Sequence, residues 1–338
     1  MEEGTDAMIN PIVASLKHEV EILRSGKLCK PRMAIVTPTY ACNQSCHYCF
    51  FKHKNNGHIM SHENLKIMID QIAELGIESI EWCGGGESLL VPEIDKIFSY
   101  AHSKGLKLGL LTNGVLFDGK IAETFLKYGT YVRFSIDTVN PKKYKEIRGT
   151  DDCAIVLSNI EKAVRIKQKY DYMCQISLKI GYSDKLDLTD IQCVFDFAAG
   201  KRIYSIQIKN VWDENGTYLN DELQRNDLYR DLKTHNIRFS KKISAKKMLH
   251  EQCWINPVQV TIDAYGNCYL CCYYQYRAEK HSFGNIFKVK LKDLWGSPEH
   301  LKCIASSSID ECNKHDCRFI RYQDMIRHQL RSSDWSFV

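Results

Sequence analysis

Between Met33 and Asn210 the sequence alternates six times between a short β-rich run and a longer amphipathic stretch, which commits this region to repeated βα units and a parallel sheet. Strands are expected over Met33–Thr37, Ser79–Trp82, Leu106–Leu111, Tyr131–Ile136, Cys174–Ile180 and Tyr204–Lys209. Helices are expected over Glu63–Glu74, Pro92–Lys104, Lys120–Tyr128, Ala154–Lys169 and Leu188–Ala199, several with Ser, Asp or Pro near the start as caps. Six strands fall two short of a closed eight-stranded barrel. The expected fold class is therefore α/β, a partial (β/α)6 TIM-type barrel over residues 31–212, with function in the loops after the strand C-terminal ends. Residues 1–30 read as a helical extension, with Ile12–Leu23 as its amphipathic segment. Past Asn210 the alternation is expected to stop: 213–250 reads as a polar connector, 251–318 as a small Cys-rich module with a β-hairpin, and 319–338 as a tail.

Fifteen of the 338 residues are cysteine. The opening Met1-Glu2-Glu3-Gly4-Thr5-Asp6 has no basic n-region and no apolar h-region, so the chain reads as cytoplasmic, where thiols stay reduced. Disulfide scaffolds belong to short secreted chains, which makes metal binding the leading explanation for so many thiols. No apolar run approaches the roughly 18 residues that span a bilayer; the best, Leu106–Phe117, is broken by Lys107, Gly109, Asn113 and Gly114. A net charge of +5 is mild, and with no appended RNA-binding motif it argues against nucleic acid as a partner. Arg238, Lys241, Lys242, Lys246 and Lys247 form the one basic cluster and read as a solvated linker face.

The segment Cys42-Asn43-Gln44-Ser45-Cys46-His47-Tyr48-Cys49 lies just beyond the first expected strand. Four thiolates would close a zinc site or a fully ligated cluster; this loop supplies three, with His47 and His53 as weak candidates for a fourth. Its CxxxCxxC spacing, with an aromatic before the third cysteine, resembles the radical S-adenosylmethionine (SAM) superfamily. That resemblance implies a [4Fe-4S] cluster on Cys42, Cys46 and Cys49, with one iron left for the amino and carboxylate groups of SAM. It further implies reductive cleavage of SAM to a 5′-deoxyadenosyl radical, and an electron donor of flavodoxin or ferredoxin type.

Other loops carry the same resemblance. Gly84-Gly85-Gly86-Glu87 ends the second strand and is similar to the family's GGE motif, which holds the SAM ammonium; taken alone it reads first as a glycine turn before a helix, and its register after the CxxxCxxC strand reverses that preference. Thr112-Asn113-Gly114 is similar to TNG segments near the SAM site. Ser135 and Asp137, two apart on the fourth strand and so expected on one face, look like the family's ribose-contacting position. Arg148, before Gly149, resembles an element that pairs with the SAM carboxylate. Tyr48 and Ser177 complete the implied cofactor contacts, although Ser177 and Lys179 fit a solvated edge as well.

In the C-terminal module, Thr261–Asn267 reads as strand, tight turn and strand. The GN-x-x-x-C turn ending at Cys271, the Phe283-Gly284-Asn285-Ile286 run and the Cys312/Cys317 pair resemble the SPASM and twitch auxiliary-cluster domains. The resemblance implies one auxiliary [4Fe-4S] cluster on Cys253, Cys271, Cys312 and Cys317, with Cys268, Cys272 and Cys303 in surplus; a zinc ribbon is the alternative. Cys29, Cys83, Cys153, Cys174 and Cys193 lack partner spacing and read mostly as ordinary thiols. Cys83, beside the GGE-like loop, is placed to return a hydrogen atom to a substrate radical.

The expected activity is hydrogen abstraction from a small polar substrate of sugar or aminocyclitol type, with an auxiliary cluster assisting net oxidation. Only about thirty residues precede the first strand, too few for the leader-recognition domain that peptide maturases commonly carry. Maturation or epimerisation of a ribosomal peptide is the alternative, and a non-catalytic iron–sulfur or zinc sensor is a third reading. Trp212, Asp213, Glu214 and Tyr218, with Tyr269, Tyr273, Tyr274 and Tyr276, are candidates to line the substrate pocket.

Overall fold

The structure is a computed structural model, and it describes residues 17–211, 232–242, 253–272, 275, 282–307 and 326. Seven of its strands run parallel in chain order: β1 (Met33–Val36), β2 (Ser79–Trp82), β3 (Lys107–Thr112), β4 (Gly129–Ser135), β5 (Gln175–Tyr182), β6 (Ser205–Asn210) and β7 (Arg238–Lys242). An eighth, β8 (Gln259–Ile262), pairs parallel to the free side of β1, with Met33 opposite Gln259. From there β9 (Asn267–Tyr269) and β10 (Ser282–Asn285) continue the sheet antiparallel. The order β10-β9-β8-β1-β2-β3-β4-β5-β6-β7 leaves the sheet open, a partial barrel whose C-terminal hairpin is built onto its first strand.

The strand β7 corrects the linker reading of Arg238, Lys241 and Lys242: all three belong to it, paired with β6. At the edge of the described sheet, cationic residues discourage pairing with another chain, and they also mask the apolar alternation by which a strand is recognised. Lys246 and Lys247 lie outside the described residues, as do most of the connector and the tail.

The described helices are α1 (Lys17–Arg24), α2 (His62–Leu75), α3 (Ile94–Ser103), α4 (Gly119–Tyr128), α5 (Pro141–Arg148), α6 (Cys153–Tyr170), α7 (Leu188–Ala198), α8 (Leu291–Leu294) and α9 (Pro298–Ser306). Their ends follow local chemistry. Ser61 accepts the Asn64 amide at the start of α2, and Asp187 with Asp190 forms a capping box on α7. Helix α5, absent from the sequence expectation, has Asn140 as its cap, Pro141 in its first turn and Gly149 as its stop.

Strand residues facing the helices make the core. Trp82, Phe98, Phe125, Phe117 and Phe134 form a chain of edge-to-face rings between sheet and helices, each such pair adding about 0.5–1.5 kcal/mol beyond its buried area. On β4 and β6 the burial alternates strictly: Val132, Phe134, Ile206 and Ile208 are buried against helices, while Tyr131, Arg133, Ser135, Ser205, Gln207 and Lys209 are half-buried on the concave face. That face is polar, unlike a barrel interior packed with branched apolar side chains. Among the described residues, no helix is long and apolar enough to cross a membrane.

Candidate functional site

The cysteine loop has no regular structure of its own and is held from three sides. Ser45 and His47 donate their amides to the carbonyls of Arg148 and Ile147 at the end of α5, both at 3.0 Å. Glu87 N donates to Ala41 O at 2.8 Å, and the Asn113 amide side chain donates to Asn43 Oδ1 at 2.7 Å. The three cysteines therefore hang on a frame made by the ends of β2, β3 and α5. Cys42 and Cys46 are half-buried and Cys49 is exposed. Burial pushes the Cys42 thiol up to about 11, with further contributions from Glu87 and the neighbouring cysteines. A metal that displaces the proton removes this penalty.

Arg148 and Asp137 form the buried electrostatic centre of the site. Arg148 is 4% exposed and Asp137 1%. Arg148 Nη2 lies 2.7 Å from Asp137 Oδ2, and its Nη1 donates to Cys46 Sγ at 3.6 Å. Burial opposes the guanidinium charge, but Asp137, Tyr48 and Cys46 outweigh it and hold Arg148 firmly protonated. Asp137 also accepts the Tyr48 hydroxyl at 2.6 Å and the Gly181 amide at 2.6 Å. Gly181 and Gln44, whose amide donates to Tyr144 Oη at 2.8 Å, were not singled out in the sequence. Gln44 fills a variable position of the CxxxCxxC segment, and Gly181 stands in no recognisable motif.

The expectation that Ser135 and Asp137 share a strand face does not survive: β4 ends at Ser135, and Asp137 sits in left-handed backbone at φ 62°. The turn directs its carboxylate into the protein, while Ser135 stays half-buried on the concave face. Ser177 is buried and shares a hydrogen bond with Ser205 at 3.1 Å. It lies four residues before Gly181, about 13 Å along the strand from the Tyr48 contact.

Glu87 joins the GGE-like and TNG-like loops. Its carboxylate accepts from Thr112 Oγ1 (2.9 Å), Asn113 N (2.7 Å) and Leu89 N (3.1 Å). Burial raises its affinity for a proton, and these three donors work against that rise. The two glycines directly before it are sterically required: a Cβ on Gly85 would stand 2.2 Å from Thr37 Cγ2, and one on Gly86 2.0 Å from Ala41 O, a backbone atom held by the Glu87 amide. Gly86→Ala is expected to destabilise the fold by about 1–3 kcal/mol and to lower iron uptake. Urea denaturation and iron assay read both; an unshifted midpoint would mean that the two loops separate freely.

The C-terminal hairpin docks against the same loop. Asp263, 2% exposed, accepts the Tyr265 and Asn267 amides at 2.9 Å each, closing the hairpin turn, and its other oxygen accepts Tyr40 Oη at 3.4 Å. Gln275 donates to Thr37 Oγ1 at 2.8 Å, and Thr37 donates to the carbonyl of Cys83 at 3.0 Å. Lys54 donates to the Gln275 carbonyl at 2.9 Å. Cys271 and Cys272, just before Gln275, are both half-buried.

The surplus cysteines separate by environment. Cys268, on β9, is fully buried in the main apolar core, and burial pushes its thiol far up. Cys303 lies on α9 against β10, and Cys253 packs near Cys29, Ile255 and Val258. Cys29, Cys153 and Cys174 are buried thiols, as expected, whereas Cys193 is exposed and Cys83 half-buried. Cys312, Cys317, Trp212, Asp213, Glu214, Tyr218, Tyr273, Tyr274 and Tyr276 lie outside the described residues; Tyr269 is buried and donates to Asp263 at 3.2 Å.

Three thiol groups on one braced loop, with a buried guanidinium whose Nε has no hydrogen-bond partner beside them, suit an iron–sulfur cluster. Fold and site together define an open α/β barrel built around a three-cysteine loop after its first strand. A radical SAM superfamily model matches residues 36–184, and the SPASM iron–sulfur cluster-binding domain model matches residues 253–318. The chain belongs to the radical SAM superfamily and carries a SPASM-type domain.

Among relatives, a probable GTP 3′,8-cyclase of Methanococcus vannielii is 33% identical over 167 residues, 48% of this chain and 52% of that protein. An S-adenosylmethionine-dependent nucleotide dehydratase of Selenomonas ruminantium is 32% identical over 125 residues, 36% of this chain and 44% of that one. The chain spans about half the length of the curated relatives it matches. Two solved structures share the fold. Streptococcus suis SuiB bound to precursor peptide SuiA has TM-score 0.67 at 16% identity, over 89% of this chain and 72% of that one. The enzyme anSMEcpe with AdoMet and the Cp18Cys peptide has TM-score 0.60 at 21% identity, over 87% and 88%.

Proposed function

We propose that this protein is a radical SAM enzyme that abstracts hydrogen from a small polar substrate of sugar or aminocyclitol type held on the concave face of the barrel. The observation that carries the reading is the meeting at one loop of Cys42, Cys46 and Cys49 with the Arg148–Asp137 pair and the Glu87 junction. In this reading Cys42, Cys46 and Cys49 hold a [4Fe-4S] cluster, and Cys253, Cys271, Cys312 and Cys317 hold an auxiliary one. Bound at the first loop, cluster and SAM supply a 5′-deoxyadenosyl radical when a reductant of flavodoxin or ferredoxin type delivers one electron.

The chain's own residues brace and shield this site. The carbonyls of Gly84–Gly86 and the Asn113 side chain border the SAM position, with Ser135 on the substrate side. Tyr48, Glu87 and Asp137 act through the frame, since their polar groups are already engaged with one another or with the loops, while Arg148 pairs with Asp137 and keeps its Nε without a hydrogen-bond partner. Two features favour a small polar substrate. The concave face carries Ser205, Gln207 and Tyr131, and the relatives matched in sequence are named for acting on nucleotides, which are themselves small and polar.

Anaerobic reconstitution with iron and sulfide, then dithionite and SAM, is expected to yield 5′-deoxyadenosine. With a deuterated substrate the label is expected in that product. Formation of no 5′-deoxyadenosine would overturn the enzymatic reading, and label transfer from a peptide but from no small polar compound would overturn the substrate class.

A further inference from the structure

Strand β5 lies between β4 and β6, so Lys179 stands in the middle of the sheet and not at a solvated edge. In register it is opposite Ser135 on β4 and Gln207 on β6, both on the concave face. Two residues before it, Ser177 bonds across the same face to Ser205. Two residues after it, Gly181 gives its amide to Asp137 and lies against Tyr48 of the cysteine loop. Lys179 therefore rises from the floor of the concave face just short of the braced loop.

Lys179 is half-buried, yet among the described residues its side chain makes no hydrogen bond and no ion pair. The titratable groups that reach it are Cys83 at the end of β2, Arg133 on β4, Asp137 just past β4 and Lys209 on β6. The one carboxylate in that set is committed elsewhere: Asp137 meets Arg148 at 2.7 Å and accepts the Tyr48 hydroxyl and the Gly181 amide. Arg133 is occupied too, donating to Gln207 Oε1 at 3.5 Å. An amine that is partly desolvated and has no counter-ion in contact favours its neutral form. Burial is the main cause here, the Lys209 charge adds to it, and Lys179 is pushed down to about 8 against the pull of Asp137 and Cys83.

We propose that Lys179 is the general base that takes the hydroxyl proton of a secondary alcohol in the substrate. This rests on reading the concave face as the substrate site. Loss of a hydrogen atom from the carbinol carbon leaves a hydroxyl-bearing carbon radical, whose O–H is more acidic than that of the parent alcohol. The Nζ lone pair of Lys179 forms an N–H bond as that O–H bond breaks. The remaining radical anion gives one electron to the auxiliary [4Fe-4S] cluster, the one-electron oxidant, and closes as a carbonyl. The alcohol thus loses one hydrogen atom, one proton and one electron, which balances its oxidation to a ketone. A guanidinium at this position would carry the charge but could not take the proton.

The test has two parts. Anaerobic acylation of the reconstituted protein with acetic anhydride, read at Lys179 by mass spectrometry as pH is raised, gives its titration midpoint without turnover. A midpoint near 8 is expected, against about 10.4 for an ordinary lysine amine. Turnover with SAM and dithionite is then read on carbon-deuterated glucosamine, myo-inositol and cytidine, scoring deuterium in 5′-deoxyadenosine and carbonyl product on the same samples. In wild type the carbonyl formed per label transferred is expected to rise with pH through 8, since the neutral amine is the base. K179R is expected to lower that ratio by about a hundredfold or more, and added ethylamine to restore part of it to K179A, which a misfolded protein would not allow. A midpoint in the ordinary lysine range, K179R with the wild-type ratio, or label transfer without carbonyl product in wild type would overturn the base alone. Label transfer from none of the three compounds sinks the substrate reading beneath it, and the base with it.

Discussion

Cys46→Ala is expected to abolish 5′-deoxyadenosine formation and to remove about four iron atoms per chain, the content of one cubane cluster. Of the three loop cysteines, Cys46 is the one that meets the buried guanidinium: Arg148 Nη1 points at its sulfur from 3.6 Å, and the amides on either side, Ser45 and His47, are tied to the end of α5. Removing the thiol leaves Cys42 and Cys49 with too few ligands and leaves that Arg148 donor facing a methyl group. The comparison that gives the result its meaning is Cys268→Ala. Cys268 is fully buried in the apolar core of the sheet, so its replacement is expected to cost stability but no iron. Iron and labile sulfide, measured on both variants beside wild type, check the pair. A Cys46→Ala protein with undiminished iron would mean that the loop is not the cluster site.

The legibility of this molecule follows the signal each element leaves in its residues. Strands β1–β6 lie within two residues of their expected bounds because each is a short apolar run between turn-forming residues, and the cysteine loop stands where a parallel strand ends. Helix α5 left a signal that the periodicity alone did not carry: Asn140, Pro141 and Gly149 mark its ends, but its body, Lys142-Lys143-Tyr144-Lys145-Glu146, is too charged to read as a buried face. Strand β7 was hidden by its charges. Asp137 misled for a different reason: alternation holds only inside a strand, and one left-handed residue just past its end turns the side chain away.

Asp137→Ala is expected to destabilise the protein by about 3–5 kcal/mol, the cost of leaving a buried charge without its partner. Asp137 and Arg148 are nearly fully buried, and the carboxylate does three things at once: it neutralises Arg148, accepts the Tyr48 hydroxyl and accepts the Gly181 amide. Arg148 is thereby coupled to the loop on both sides of Cys46, through its own carbonyl to Ser45 and through Asp137 to Tyr48. The loss separates into a charge part and a shape part. Asp137→Asn keeps an acceptor near Gly181 and Tyr48 but not the charge, and Arg148→Met removes the stranded cation at similar volume. The double variant Asp137→Ala/Arg148→Met is therefore expected to be more stable than Asp137→Ala alone, since breaking a buried pair costs more than replacing it whole. Cluster loading should move the other way. With the guanidinium gone, Cys46 loses its donor and the loop loses its brace, so the double variant should bind less iron than wild type even where stability recovers. Urea denaturation of the four variants beside wild type, with iron content on each, resolves the two effects. If the double variant were no more stable than Asp137→Ala, the carboxylate would be acting through Tyr48 and Gly181 rather than through its charge.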